Sequence, residues 1–351
     1  MATIPRICVP LSQKTAFGRY GALAAYRAGV HELLEEYLSE LDLLGDNRAA
    51  VEAVAGWTVV RSVRQEIQDL SEILGVDQGS LKLINLYYDL ANLVFRSPKL
   101  PSASDVPTLL LETFKKARPF ACTAFAFVGP DGKPWHARNL DWWSRDERRL
   151  ASGSLLIDYK TDTGAEFTVL GWPGLSGALT GVRKGAFTVS LNTVCSNEPF
   201  TPGASLPILI REVLEECATY QDAVRRLTET RLLSDGLLLV TGTEPGEMVV
   251  IERSPSRYAH RYSDSSGLLV VTNSYKRIAT GETSAPRELA QSADHREAGV
   301  CNGCAPVVRP KTLEECMEVL RRPDVRMGIT MQRVAMRASD GAVLAESVEH
   351  S

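Results

Sequence analysis

The chain has 351 residues, of which 44% are hydrophobic and 23% are charged, and its formal net charge at pH 7 is -4. A chain of this length can bury a large core, in one big domain or in two. The slightly acidic balance gives no reason to expect nucleic acid as a partner, and no apolar run reaches the roughly 18 to 20 residues of a transmembrane segment.

The start of the chain and its cysteines bear on its location and chemistry. Residues 1–21 lack the basic start and sustained apolar core of a secretory signal, which indicates a cytoplasmic protein or one whose signal has been removed. Cys301 and Cys304 form a CxxC pair, but no second pair and no close histidines complete a zinc set. An ordinary loop with two thiols is therefore favoured over a metal or redox site, and no metal or cofactor is expected. An odd, scattered set of cysteines is also not a disulfide framework; the seven are Cys8, Cys122, Cys195, Cys217, Cys301, Cys304 and Cys316.

The first third of the chain is predicted to be mostly helical. Ser80 is the expected N-cap of the last of its three helices. A Pro- and Ser-rich stretch over residues 97–105 predicts an exposed linker, and a helix-like stretch over residues 106–116 then approaches Cys122. Apolar residues at helical spacing predict the three helices over residues 20–44, 47–74 and 81–95.

Residues 121–143 form the central motif of the sequence. Cys122 and Thr123 lead an apolar run, a Gly-Pro-Asp-Gly turn follows, and a second strand-like run ends in Arg-Asn-Leu-Asp. Two such runs around a turn predict a β-hairpin, in which the start of the first strand lies beside the end of the second. We therefore expect the Cys122 thiol, the Arg138 guanidinium and the Asp141 carboxylate to meet at one end of one sheet.

The rest of the chain alternates blocks of strands with helices. Several strands in close succession indicate an antiparallel sheet, so the pattern by itself predicts a mixed α+β fold. Strands are predicted over residues 154–159, 166–172, 186–192, 236–241, 247–253, 267–272, 329–337 and 342–348, and helices within 203–231 and over 285–292 and 313–321.

The hairpin motif resembles the N-terminal nucleophile cysteine hydrolases, and more narrowly the branch of acid ceramidase and N-acylethanolamine acid amidase. The residues that carry the resemblance are Cys122-Thr123 and Arg138-Asn139-Leu140-Asp141, supported by a Gly-rich segment that ends at Asn192 and by a Thr-Asn element at Asn273. The family branch often has an acidic residue directly after the first asparagine, whereas this chain has Thr193.

The resemblance implies an αββα four-layer sandwich with a helical N-terminal subunit. Family precursors cut themselves immediately before the nucleophile. In this chain the bond would be Ala121–Cys122, which gives a segment of residues 1–121 and a catalytic segment of residues 122–351. The two fragments are expected to stay associated, and a homo-oligomer is possible.

The resemblance also assigns roles to residues of the motif. A Cys122 at a new N-terminus carries its own α-amine, whose pKa near 8 lets it accept the thiol proton. Asp141 would hold the resulting ammonium, and Arg138 would favour the thiolate. Asn273, with Asn192 as a weaker candidate, would donate a hydrogen bond to the oxyanion.

Other interpretations of these residues stay open. Arg287 matches the family's second arginine and would position Asn273 or a polar group of the substrate, but a solvated helix position explains it too. Arg138 and Asp141 could form an ordinary edge-strand ion pair, and Asn273 could simply end a strand. Aromatic residues could line an acyl pocket or belong to the core; they are Trp142, Trp143 and Trp172, with Trp135, Phe125 and Phe127.

The predicted activity is that of a self-processing cysteine amidase acting on an N-acyl amide, such as an N-acylethanolamine or a ceramide-like lipid. One alternative is an acyltransferase, or a bile-salt or penicillin-type amidase, on the same scaffold. A third interpretation is a non-catalytic protein that binds acyl chains, which predicts an intact Ala121–Cys122 bond.

Overall fold

Two β-sheets pack face to face, with helices on both outer surfaces. This is seen in a computed structural model that describes residues 2–42, 63–96, 121–142, 147–198, 201–279 and 287–348. Strands of one sheet contact strands of the other, and buried aliphatic side chains fill the space between them. The αββα four-layer sandwich expected from the resemblance is confirmed.

The first sheet has six strands in the order β1-β14-β13-β4-β3-β12, and all its pairings are antiparallel. The central pair is β3 and β4, the predicted hairpin. The strands are β1 (Ala2–Thr3), β3 (Ala121–Val128), β4 (Pro134–Asp141), β12 (Leu268–Val271), β13 (Thr330–Arg337) and β14 (Ala342–Ser347).

The second sheet has eight strands in the order β11-β10-β9-β8-β7-β6-β5-β2, and the edge strand β2 runs parallel to β5. The strands are β2 (Arg6–Pro10), β5 (Leu155–Lys160), β6 (Glu166–Gly171), β7 (Thr180–Arg183), β8 (Phe187–Asn192), β9 (Gly236–Thr241), β10 (Met248–Arg253) and β11 (Tyr258–Arg261).

The helices divide between the two outer surfaces. Helices α8 and α9 cover the first sheet, and α6 and α7 cover the second. Thr312 begins α9 as its N-cap and accepts a hydrogen bond from the backbone N–H of Glu315. In chain order the helices are α1 (Ala16–Tyr20), α2 (Arg27–Asp42), α3 (Arg64–Leu74), α4 (Gln78–Arg96), α5 (Glu147–Ser152), α6 (Leu206–Glu216), α7 (Tyr220–Glu229), α8 (Arg287–Gly303) and α9 (Leu313–Arg321).

The turn between β3 and β4 explains why the hairpin forms at this place. Gly132 has a φ of 73°, which a side chain disfavours, and the Trp135 indole lies 2.4 Å from where a Cβ on Gly129 would be. Asp131 accepts hydrogen bonds from the Lys133 N–H (3.1 Å) and from the Trp135 indole N–H (2.9 Å). Asp131 thus serves the turn, as its place in the sequence indicates.

The N-terminal region differs from the sequence prediction in two ways. It contributes β1 to the edge of the first sheet and β2 to the edge of the second, and neither strand was predicted because each is too short to show an alternating pattern. Helix α4 begins at Gln78 instead of residue 81, and Asp77 accepts the Ser80 N–H at 2.9 Å, so Ser80 is not the N-cap. The predicted linker and the helix over 106–116 lie outside the described residues.

Two short strands of the second sheet were also missed. Strands β7 and β11 have four residues each, which is too few to separate a strand from a turn by periodicity. Along the described parts of the chain, no helix combines the length and the apolar character needed to cross a bilayer.

Candidate active site

Cys122 lies at the start of β3 and its side chain points between the two sheets. Alternate residues of a strand face opposite sides. Ala124 and Ala126 accordingly pack against the second sheet, whereas Phe125 and Phe127 pack under helices α8 and α9. The Cys122 side chain shares the inter-sheet face and is 1% exposed.

Arg138 on β4 reaches the same face and contacts the thiol. Its Nη2 donates to Cys122 Sγ at 3.2 Å and to the Leu191 carbonyl, and its Nη1 donates to Thr180 Oγ1 at 2.5 Å. The side chain is buried, and no carboxylate among the described residues is close enough to form an ion pair with it. A buried charge without a counter-ion is costly, and the Cys122 thiol is one of the three groups that this guanidinium contacts.

Asn273 follows β12 and lies opposite Cys122. Val271 pairs with Ala124, and two residues further along the antiparallel register Asn273 faces Cys122. Its Oδ1 accepts the Cys122 backbone N–H at 3.1 Å, and its Nδ2 donates to the Thr193 carbonyl at 2.8 Å. The predicted oxyanion donor is therefore in direct contact with the proposed nucleophile.

Arg296 on α8 is a second buried arginine at the site, and the sequence analysis did not identify it. Its Nη1 donates to the Cys122 carbonyl (2.6 Å) and to Thr123 Oγ1 (2.7 Å), and its Nη2 donates to Asn273 Oδ1 (2.8 Å). A signal was present in the sequence, because Ala293 and Val300 share its helix face and are fully buried. An arginine on an apolar helix stripe indicates a buried partner.

Asp141 lies at the same end of the sheet but on the opposite face from Arg138. It pairs with Ala121 across the hairpin, and its position three residues after Arg138 gives it the other parity. Its Oδ1 accepts from Thr330 Oγ1 at 2.5 Å, and its Oδ2 has no hydrogen-bond donor among the described residues and lies 3.9 Å from Arg296 Nη1. The three groups therefore lie at one end of one sheet, with Cys122 and Arg138 on one face and Asp141 on the other.

Burial sets the protonation of two groups near the site. Burial raises the pKa of the Asp141 carboxyl, while the Arg296 charge and the Thr330 hydroxyl oppose that shift. Burial and the nearby Arg138 charge lower the pKa of His136 to about 3, so its imidazole is neutral at neutral pH. Its ring nitrogens lie 2.7 Å from Thr188 Oγ1 and 2.8 Å from Ser190 Oγ, which makes it a link between the sheets.

Two other residues that were predicted to belong to the site are Asn192 and Arg287. Asn192 ends β8, and its Nδ2 donates at 3.0 Å to the carbonyls of both Val271 and Thr272, so both of its N–H groups are used in joining the sheets. Arg287 begins α8, and its side chain lies outside the described residues. The contact with Asn273 that was expected of Arg287 is made by Arg296.

Two of the predicted pocket tryptophans, Trp142 and Trp172, form an aromatic group that belongs to the same large buried cluster as Cys122. Trp142 stacks on Tyr87 with ring centroids 5.5 Å apart and meets Trp172 edge-on at 5.8 Å. A cavity of about 20 Å³ lies beside them, which has room for about one water molecule and not for an acyl chain. Trp143 lies outside the described residues, and Trp135, Phe125 and Phe127 belong to the core under α8 and α9.

The CxxC pair lies at the end of α8 instead of in a loop. Cys301 is exposed, whereas Cys304 is buried, and burial raises the pKa of its thiol to about 12. In the described parts of the chain, no three side chains of His, Cys, Asp or Glu come together as possible metal ligands.

Comparisons with known proteins find relatives among acyl-transferases and acid amidases. Residues 128–299 match the family model of acyl-coenzyme A:6-aminopenicillanic acid acyl-transferase. The chain is 26% identical to the N-acylethanolamine-hydrolyzing acid amidase of Caenorhabditis elegans over 57% of this chain and 53% of that protein. It is 27% identical to the acid ceramidase of Bos taurus over 38% of this chain and 39% of that protein.

The same similarity is present at the level of structure. The solved Caenorhabditis elegans N-acylethanolamine-hydrolyzing acid amidase ortholog superposes with a TM-score of 0.50 at 26% identity, over 62% of this chain and 93% of that chain. The matches span about half or less of the length of these curated relatives. The sandwich fold and these matches agree in one respect: the chain is similar to the N-terminal nucleophile cysteine hydrolases, and within them to the branch of acid ceramidase and N-acylethanolamine acid amidase.

Proposed function

We propose that this chain cuts its own Ala121–Cys122 bond and that the freed Cys122 then hydrolyses the amide bond of an N-acyl amide through an acyl-thioester. The observation that carries the proposal is the contact of Arg138 with the Cys122 thiol at 3.2 Å, in a buried site where none of the carboxylates that the structure describes is close enough to form an ion pair with the guanidinium. Such an arrangement favours an anionic sulfur nucleophile.

Self-processing needs only groups that already lie at the junction. Cys122 Sγ attacks the Ala121 carbonyl carbon, the C–N bond to Cys122 breaks, and the departing nitrogen takes up a proton. Water then hydrolyses the Ala121 thioester and releases the free thiol. The nitrogen that now donates to Asn273 Oδ1 becomes the α-amine of a new N-terminus.

Turnover uses this new amine as the base. With a pKa near 8, the amine accepts the thiol proton at neutral pH. The thiolate attacks the substrate carbonyl, the leaving amine takes up the proton, and water hydrolyses the acyl-thioester. The open Oδ2 of Asp141 is an acceptor for the intermediate ammonium, and Arg138 stabilises the sulfur before and after the attack.

Asn273 is the proposed oxyanion donor because of how its amide is held. Arg296 donates to Oδ1 at 2.8 Å, so Nδ2 lies at the other end, where one of its two N–H groups is bonded to the Thr193 carbonyl. The second N–H is left for the substrate oxygen. Both N–H groups of Asn192 are already bonded to backbone carbonyls. Asn192 is therefore the weaker candidate for the oxyanion donor.

The proposed substrate is an N-acylethanolamine or a ceramide-like lipid, because the relatives are named as an N-acylethanolamine-hydrolyzing acid amidase and an acid ceramidase. The acyl chain would enter the aromatic group of Trp142 and Trp172, where the present cavity has to widen. We also propose that fragment 1–121 stays bound after cleavage, because β1 and β2 are paired strands of the two sheets.

The test begins with the intact mass of the purified protein under denaturing conditions. Wild type is expected to give two fragments that meet at Ala121/Cys122, whereas Cys122→Ala gives one uncut chain. Cys217→Ala, which removes a buried thiol far along the chain, is the matched control and should be cut like wild type. An uncut wild-type chain after long incubation over a range of pH contradicts the proposal.

A second candidate function is acyl transfer to an amine, and the matching family model, which is described as an acyl-transferase, favours it. The first steps are the same, but an acceptor amine takes the place of water in resolving the thioester. Incubation with N-acyl amides, with and without an acceptor amine, separates the two functions. Free acid as the main product supports hydrolysis, and an acylated acceptor as the main product supports transfer.

A further inference from the structure

Helix α4 carries a row of buried polar side chains that the proposed mechanism does not use. Asn85, Asp89 and Asn92 are spaced by four and three residues, which places them on one helix face. All three are essentially inaccessible to solvent. They belong to the region before the proposed cleavage junction, yet each of them forms hydrogen bonds with groups of residues 122–351.

Each side chain of the row holds a different backbone segment. Asn85 Oδ1 accepts the N–H groups of Ser176 (2.7 Å) and Gly177 (3.0 Å). Asp89 Oδ1 accepts the Leu206 N–H at 3.2 Å and the Ser234 hydroxyl at 2.5 Å. The row therefore acts on loops at one end of the sandwich.

Asn92 is the member of the row that reaches the active site. Its Nδ2 donates to the Val194 carbonyl at 2.8 Å, and its Oδ1 accepts the Asp235 N–H at 2.9 Å. The residue before Val194 is Thr193, whose carbonyl holds Asn273 Nδ2 at 2.8 Å. Asn273 Oδ1 in turn accepts the Cys122 N–H at 3.1 Å.

We propose that Asn92 is a positioning residue for the oxyanion amide of Asn273, acting from the other side of the cleavage junction. One N–H of the Asn273 amide is bonded to the Thr193 carbonyl, and the other is the proposed donor to the substrate oxygen. The direction of this second N–H therefore depends on the position of the Thr193 carbonyl. Asn92 fixes that carbonyl by holding its neighbour. This inference rests on the proposed function and adds a residue outside fragment 122–351 to its machinery.

The local fold does not depend on Asn92 alone. Tyr88 Oη donates to the Asp235 carbonyl at 2.8 Å, and Tyr275 Oη donates to Asp235 Oδ1 at 2.9 Å. These bonds keep the Asp235 segment in place when the Asn92 amide is removed. The expected effect of losing Asn92 is therefore a displaced residue 193–194 segment and not a lost domain.

The kinetic test compares Asn92→Ala and Asn92→Asp with Asn85→Ala in the full chain. Asn92→Asp keeps the acceptor for the Asp235 N–H and removes the N–H donor to Val194. We expect kcat to fall about 10- to 100-fold in both Asn92 variants, below the effect of deleting an oxyanion donor outright, with KM changed less than about threefold. Asn85→Ala removes an equally buried amide of the same helix, and it should keep kcat within about threefold of wild type.

A second measurement does not depend on activity. In the uncut Cys122→Ala protein, the backbone N–H of residue 122 is protected by Asn273 Oδ1. Adding Asn92→Ala should speed its hydrogen exchange at least about tenfold, and adding Asn85→Ala should not. Equal exchange with and without Asn92, or equal acceleration by Asn85→Ala, overturns the inference. A wild-type chain that neither cuts itself nor turns over substrate removes the proposed function, while the exchange experiment still decides the positioning.

Discussion

The two buried arginines at Cys122 contact the same residue from opposite faces of strand β3. Arg138 lies between the sheets and donates to the thiol, a hydroxyl and a carbonyl, and it has no carboxylate partner within the described parts of the chain. Arg296 lies on helix α8, donates to the Cys122 carbonyl and to Asn273, and has Asp141 within 3.9 Å. This difference supports the proposal that Arg138 acts on the sulfur of Cys122, whereas Arg296 holds the groups around that residue.

The largest effect is expected from removing the charge on the inter-sheet face. Arg138→Leu should lower kcat/KM for an N-acyl amide by about 10³-fold, at the upper end of what a lost charge-stabilising donor costs. Arg138→Lys keeps the charge but cannot contact the sulfur and Thr180 together. Its kcat/KM should therefore lie between that of wild type and that of Arg138→Leu. Activity of Arg138→Leu within about tenfold of wild type contradicts the role given to Arg138.

A smaller loss of rate and a clear loss of stability are expected on the other face. Arg296→Gln leaves the Asp141 carboxylate buried without its cation, which typically costs about 3 to 5 kcal/mol of folding free energy, and it should lower kcat about 10²-fold. Urea unfolding and steady-state kinetics measure the two effects.

The matched control for Arg296 is Arg211→Gln. Arg211 lies on helix α6 and is also buried, but its ion pairs are with Glu66 of α3 and Glu215 of α6 instead of with Asp141. It should destabilise the protein and leave self-cleavage intact. If both variants cleave equally well, Arg296 is only structural.

A finer test changes the pKa of Asp141 by altering Thr330, whose hydroxyl donates a hydrogen bond to the carboxylate. Thr330→Val keeps the side-chain shape and removes the 2.5 Å hydrogen bond, whereas Thr330→Ser keeps the bond. Because that bond lowers the pKa of Asp141, its loss raises the pKa and should move the acid limb of the rate profile to higher pH. We expect about a tenfold lower kcat for the valine variant, and near wild-type behaviour for serine. Identical profiles for the two variants remove Asp141 from the ionisations that control the rate.

The smallest expected effect is a loss of folding stability at low pH that is due to His136. The size of this loss depends on the charge of Arg138. His136 has its pKa lowered from 6.5 to about 3. Its contribution to stability is therefore complete above pH 6.5 and is lost as pH falls toward 3, at about 1.4 kcal/mol per pH unit. Urea unfolding at pH 7.5 and pH 5 should show this loss in wild type and not in His136→Gln. The loss should shrink in Arg138→Leu, because the arginine charge is one of its causes, and an unchanged loss there contradicts that coupling.

The hairpin and most of the strands could be predicted because their signals are local. The turn over Gly129–Gly132 needs glycine at two positions, and the flanking runs are long enough to show a pattern. The motif residues Cys122, Arg138, Asp141 and Asn273 all lie at the same site, and three of them are joined by the antiparallel register of β3. Asp141 lies three residues after Arg138, and this odd spacing in a strand by itself indicates that the two side chains face opposite sides of the sheet.

The sequence by itself determined the fold class and the residues that lie beside the thiol, because strand alternation and register act over short distances along the chain. Only the tertiary structure brought in Arg296, Thr330 and Asn92. They are separated from Cys122 by 174, 208 and 30 in residue number, and nothing local in the chain specifies contacts over such separations. Their partners are backbone groups, a hydroxyl, an amide oxygen and a carboxylate, which any sequence offers in quantity, so tertiary packing decided which of them meet.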